Sequence, residues 1–192
     1  MLVQTKAKPA SSASTVDSPF ILHQKMQLPT FLTVGVVALA SLMPVYADHE
    51  LRFRNNCSFN VTPKWKAGSG GLSSGPSMGR GAVWSGWVPE YWVAGRVYGQ
   101  NGACIEPDGA RCTLFECTFN NIGFNQCNIS RVSGYNIGMA FNWIGGSGCQ
   151  GGKNCNNANC PNTVAWLPPD SCNGCLSQCN TARVGMEVIF CP

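Results

Sequence analysis

Apolar side chains along this chain recur at every second position, not at every third or fourth. In "RVGMEVIFCP" the residues Val184, Met186, Val188 and Phe190 alternate with their neighbours, the period of a half-buried strand. "ELRFRNNCSFNVTPKW" repeats the pattern at Leu51, Phe53, Phe59 and Val61, which predicts a pair of strands. "VWSGWVPEYWVAGRVYG" gives aromatic strands interrupted by Pro89, which cannot donate to a ladder and belongs at a turn or an edge. "TLFECTF" is strand-like, and "CNISRVSGYNIGMAF" reads as strand, turn and strand.

Between these segments the periodicity stops. Residues 66–82, "KAGSGGLSSGPSMGRGA", are a Gly- and Ser-rich loop, and "NGACIEPDGARC" carries a Pro-Asp-Gly turn between Cys104 and Cys112. From Gly145 to Cys179 the chain is mostly Gly, Asn, Pro and Cys, the composition of a lobe of loops held by disulfides. No segment keeps a helical period and no long repeat is visible. The pattern predicts an all-β sandwich with a small cysteine-rich appendage.

Composition supports that picture. Of 192 residues, 44% are apolar and only 11% charged, beside Gly 22, Pro 12 and Cys 12: enough for one cored domain, stapled and rich in loops. From Met26, "MQLPTFLTVGVVALASLMPVYA" reads as a signal peptide ending at Ala47. The run is broken by Gly35, Ser41 and Pro44, which argues against a membrane anchor. The expected organisation is an extension over 1–25 (or a start assigned too early), a signal peptide over 26–47, and one domain over 48–192. All twelve cysteines fall between Cys57 and Cys191, so a secreted chain is expected to form up to six bridges. No metal or cofactor is expected. Ten Lys or Arg against eight Asp or Glu from Asp48 onward is too even a balance to suggest nucleic acid or an anionic membrane as partner.

In order along the chain, "LRFRNNCSFNV", "VWSGWVP" with "AGRVYG", "TLFECTF", "NISRVSGYNIGMAF", "NCPNTVAWLPPDSCNGC" and "VGMEVIFCP" resemble six landmarks of the thaumatin-like family. The resemblance spans most of residues 50–192. The cysteine-rich lobe is shorter than the family's, and short secreted fungal members look most similar. It implies a thaumatin-like β-sandwich with a reduced disulfide-rich loop lobe, a secreted, extracellular or cell-wall monomer, and bridges Cys57–Cys191, Cys104–Cys112, Cys149–Cys179 and Cys160–Cys172. Cys117, Cys127, Cys155 and Cys175 remain, and of the three ways to pair them Cys117–Cys127 with Cys155–Cys175 is the one taken as the expectation, the others staying open.

The resemblance also implies a cleft that binds or slowly cleaves β-1,3-glucan, lined in the family by one Arg, one Glu and three Asp. Carried onto this sequence, the Arg is Arg96 and the Glu is Glu116. The first two Asp positions hold Asn128 and Ser133, and the third lies in a part that this chain lacks. Glycoside hydrolysis takes two carboxyl groups flanking the scissile bond, about 5 Å apart in retaining enzymes and roughly 6.5 to 9.5 Å in inverting ones. Glu116 is the candidate acid; Glu106 and Asp108 are the nearby alternatives for a second. Arg96 and Glu116 read either as an ion pair across neighbouring strands, the preferred reading, or as a catalytic acid with its electrostatic partner. With one histidine in the expected mature chain, His49, beside the predicted cleavage point, Ser-His and Cys-His catalysis has no base.

Two further features bear on binding. Among Trp84, Trp87, Tyr91 and Trp92, strand alternation buries about half, and Trp87 and Tyr91, beside Pro89, are the expected exposed pair for stacking on a sugar ring. Asn56, Asn60 and Asn128 open N-x-S/T acceptors for N-linked glycan. A glycan on Asn128 would occupy the cleft; the alternative is an unmodified Asn in a narrow groove. The sequence thus points to a binder of cell-wall polysaccharide, with a weak endo-β-1,3-glucanase and a protein-binding inhibitor or effector as alternatives.

Overall fold

The computed structural model describes residues 48–149 and 151–192; the expected signal peptide and N-terminal extension lie outside the described residues. Among these described residues twelve strands form two sheets. One has five strands in the order β4 (Val83–Val88), β1 (His49–Asn55), β12 (Gly185–Phe190), β8 (Met139–Ile144), β9 (Lys153–Cys155). The other has seven: β10 (Ala165–Trp166), β7 (Asn125–Ser130), β6 (Leu114–Asn120), β5 (Tyr91–Gln100), β2 (Thr62–Lys66) and β3 (Ser73–Ser74) in line, with β11 (Ser177–Cys179) also on β7. The fold is an all-β sandwich.

Alternation does what a period of two requires. In β1, His49, Leu51, Phe53 and Asn55 point inward while Glu50, Arg52 and Arg54 point out. In β12, Met186, Val188 and Phe190 are fully buried. Between the sheets Phe53 meets Trp65, Trp84 and Phe190 at 5.5, 6.0 and 6.3 Å, and Phe115 meets Phe141 edge-on at 5.2 Å. Truncating one such buried ring costs about 3–5 kcal/mol, because the transfer term and the cavity left behind add. His49 belongs to this core: it stacks on Phe119 at 4.3 Å, and its ring nitrogens lie 2.6 Å from the Val184 carbonyl and 3.1 Å from that of Glu90.

Two sequence expectations change. Phe59 is exposed rather than a strand residue, because the buried Asn55 amide donates to the carbonyls of Phe59 and Met78 and turns the chain out of β1 before it can pair again. The segment read as a pair of strands, residues 50–65, divides between the two sheets, β1 in one and β2 in the other, as do the strands within 83–100 and within 127–141.

Six disulfides staple the sandwich, as suits an extracellular protein. They are Cys57–Cys191, Cys104–Cys112, Cys117–Cys127, Cys149–Cys179, Cys155–Cys160 and Cys172–Cys175. The expected Cys160–Cys172 and Cys155–Cys175 bridges are replaced by two local ones. After β9 the chain turns back through Asn157, whose carbonyl accepts from the Cys160 N–H, and this brings Cys160 within 5.3 Å of Cys155, Cα to Cα. Gly174, at φ +83°, lets the 172–175 turn close on itself.

Candidate functional site

The cleft positions lie on the outer face of the seven-stranded sheet. Register places Lys66, Arg96, Glu116 and Asn128 side by side across β2, β5, β6 and β7. A bulge in β5 between Trp92 and Gly95, with Ala94 at φ +49°, re-aims the strand just before Arg96. Beside it opens a cavity of about 260 Å³ lined by Arg96, Glu116, Thr118, Gln126, Asn128, Trp166 and Leu176, with Ala94, Gly95 and Cys117.

Three of the four expected cleft residues therefore meet. The fourth, Ser133, does not line the cavity. It sits past the end of β7, exposed, with its carbonyl taken by the Arg111 N–H.

Arg96 and Glu116 are register partners, yet no ion pair joins them among the described residues. The Arg96 guanidinium instead reaches Asp108 at 3.4 Å, beside the stronger Lys66–Asp108 contact at 3.0 Å, and its Nε is buried without a hydrogen-bond partner. Asp108 comes from the loop closed by Cys104–Cys112, which folds down over Tyr98. Hydrogen bonding by Lys66, then the Lys66 and Arg96 charges, hold the Asp108 carboxyl below its usual range. Glu106 is lowered likewise by hydrogen bonds from Gln100 and Lys64. Burial, reinforced by these two acids, pushes the Tyr98 phenol up to about 12. Both acids named as a second carboxyl are thus held ionised in ion pairs with lysine and arginine, and neither lines the cavity.

Glu116 is the one carboxylate in the lining, and its Oε2 accepts a 3.2 Å hydrogen bond from the Asn128 amide. Asn128 is 7% exposed in an inner strand. Its amide nitrogen, the atom that an N-linked glycan would be attached to, donates to Glu116 at the cavity wall. Asn56 and Asn60 are exposed. So are Trp87 at 60% and Tyr91 at 52%, although neither lines this cavity.

The sequence reading missed Thr118, Gln126, Trp166 and Leu176. Gln126 was findable, since it lies two residues from Asn128 and so on the same face of β7. Trp166 was a lone indole in the loop-rich lobe; its N–H donates to Asp170 at 2.7 Å, which fixes the ring at the cavity wall.

Compared with known proteins, no family model matches the chain. A thaumatin-like protein of Oryza sativa subsp. japonica is 28% identical over 186 residues, covering 85% of this chain and 97% of that one. Two solved structures superpose on 74% and 75% of this chain and 99% of their own. One is the thaumatin-like xylanase inhibitor TLXI, with TM-score 0.52 at 20% identity, and the other the protein elicitor MoHrip2 from Magnaporthe oryzae, with TM-score 0.54 at 16%. The fold is thaumatin-like. The names of the relatives support the thaumatin-like family, and within that fold this chain's cleft carries one amide, Asn128, where the resemblance expects an acid.

Proposed function

We propose that this thaumatin-like chain is a secreted, non-catalytic binder of cell-wall glycan, β-1,3-glucan in the first instance, with a defence or host-interaction role. One observation carries the reading: the lone cleft carboxylate, Glu116, is held by the Asn128 amide. Hydrolysis needs a second carboxyl on the other side of the bond, and an amide supplies neither base nor nucleophile. The same groups suit a neutral ligand. Gln126, Asn128 and Thr118 offer donors and acceptors to sugar hydroxyls, and Trp166 offers a held apolar face.

Retention on insoluble β-1,3-glucan and release of reducing sugar from laminarin test the two halves together. The expected result is retention without release, the same for wild type and Glu116→Gln in the second assay. Release that Glu116→Gln abolishes would make the protein a weak endo-β-1,3-glucanase. A protein-facing role is the second reading, favoured by the similarity of fold to a xylanase inhibitor and to an elicitor. Failure to bind glucan, together with inhibition of a secreted hydrolase, would select it.

A further inference from the structure

Four of the six tryptophans, Trp65, Trp84, Trp92 and Trp143, are spent on ring contacts inside the protein. The remaining two each line a cavity. Trp166 belongs to the cleft; Trp87 stands on the outer face of the other sheet, 60% exposed. Among the described residues its indole makes neither a ring contact nor a hydrogen bond.

Register builds a site around it. Trp87 lies opposite Glu50, and Leu51 opposite Met186 sets Glu50 beside Gly185, which in turn faces Ile144. The row Trp87, Glu50, Gly185, Ile144 crosses four strands, and Gly185 leaves its centre low. A Cβ there would fall 2.8 Å from Ile144 Cγ1 and 2.9 Å from the Glu50 carbonyl oxygen. The result is a cavity of about 260 Å³, completed by Asp48, Arg52, Gly145 and Arg183. Trp87 also walls a smaller depression of about 190 Å³ on its other side, beside Trp65, Pro89 and Trp92, so the indole is a ridge between two hollows.

The Glu50–Arg52 pair of the larger hollow is held in place, and the hollow's formal charges balance. Glu50 accepts from the Ser85 hydroxyl at 2.6 Å and from both Nε and Nη2 of Arg52 at 3.1 Å. Two acids, Asp48 and Glu50, face two arginines, Arg52 and Arg183. A charged ligand gains little from a surface whose formal charges cancel. A neutral polyhydroxylated ring gains both the indole face and a rigid carboxylate–guanidinium edge for its hydroxyls. We infer that this is a second glycan site, on the opposite sheet from the cleft, with Trp87 as stacking platform and the Glu50–Arg52 pair reading hydroxyls of a neutral pyranose chain laid across the ridge. The ligand class rests on the glycan reading given above; the place does not.

Because each site has its own tryptophan, one experiment separates them. In a 15N-indole spectrum of the protein, the Trp87 and Trp166 signals are assigned by their loss in Trp87→Phe and Trp166→Phe, and laminarihexaose, cellohexaose, xylohexaose and chitohexaose are titrated in turn. The expected result is a saturable shift of the Trp87 signal with at least one of the four, and at least a tenfold loss of affinity in that titration for Trp87→Ala, whose exposed position leaves the melting temperature unchanged. A Trp87 signal that stays in place with all four overturns the second site. Movement of Trp166 alone keeps the cleft and removes the second site; movement of Trp87 alone does the reverse; movement of neither removes both.

Discussion

Replacing Asn128 with aspartate puts a carboxylate where an amide now donates to Glu116 at 3.2 Å. Two full charges at that separation repel by about 5 kcal/mol at an effective dielectric constant near 20. The pair escapes this by taking up one proton. Keeping a carboxyl of ordinary pKa near 4 protonated at pH 7 costs about 1.4 kcal/mol for each pH unit in between, roughly 4 kcal/mol in all. A hydrogen bond between the shared proton and the remaining carboxylate only replaces the one that the Asn128 amide now makes, worth about 1 kcal/mol in either case, which leaves Asn128→Asp destabilised by about 4 kcal/mol at pH 7. The pair's folded-state proton affinity is raised, so this penalty is present at neutral pH and disappears as pH falls towards the unfolded value near 4. Urea unfolding of wild type and variant at pH 4, 5, 6 and 7 measures it. A difference that does not change with pH, or stays under about 1 kcal/mol at pH 7, refutes the Glu116–Asn128 contact. The variant is expected to release no sugar from laminarin, because carboxyls about 3 Å apart share a proton, whereas a retaining pair stands about 5 Å apart around the glycosidic bond.

Two other outcomes follow from the fold. The Cys57–Cys191 bridge spans 134 residues and Cys172–Cys175 only three, so loop-closure entropy predicts costs of about 5 and 2 kcal/mol for the respective double alanine variants; equal costs in chemical denaturation would contradict that ordering. Glu50 is lowered from its ordinary value of 4.5, first by the Ser85 hydroxyl and then by Arg52, against burial. Its contribution is therefore full above that value and is lost as pH falls through the depressed folded value, so Ser85→Ala should cost about 1 kcal/mol at pH 7 and nothing near pH 2 in thermal melts.

The strands were legible because a period of two reports burial directly: β1 and β12 alternate in the sequence as they do in the sandwich. Which sheet a strand joins was not, since Val88 and Tyr91, or Ser130 and Met139, read the same whether the chain turns back or crosses over. The cleft was half legible. Arg96, Glu116 and Asn128 came from strand landmarks with fixed register, while Trp166 and Leu176 come from a lobe whose strands are too short to show a period. The true partner of Arg96 was hidden for a similar reason. Asp108 arrives by the folding of an irregular loop over Tyr98, and only the three-dimensional path of that loop sets it between Lys66 and Arg96. The cysteine pairing of the lobe failed where local turns, not sheet topology, bring the sulfurs together.

The parallel seam between β1 and β12 has a consequence for how the protein is made. β12 lies between β1 and β8, so during synthesis the five-stranded sheet exists as two fragments with open edges until its keystone strand emerges. Among the twelve cysteines Cys57 leaves the ribosome before the others and Cys191 after them, and these two are bonded to each other. Oxidation in order of appearance would give Cys57 a wrong partner. Correct maturation requires that thiol to wait or to be exchanged, which makes an environment able to reshuffle disulfides, and not merely to form them, a condition for obtaining this sandwich.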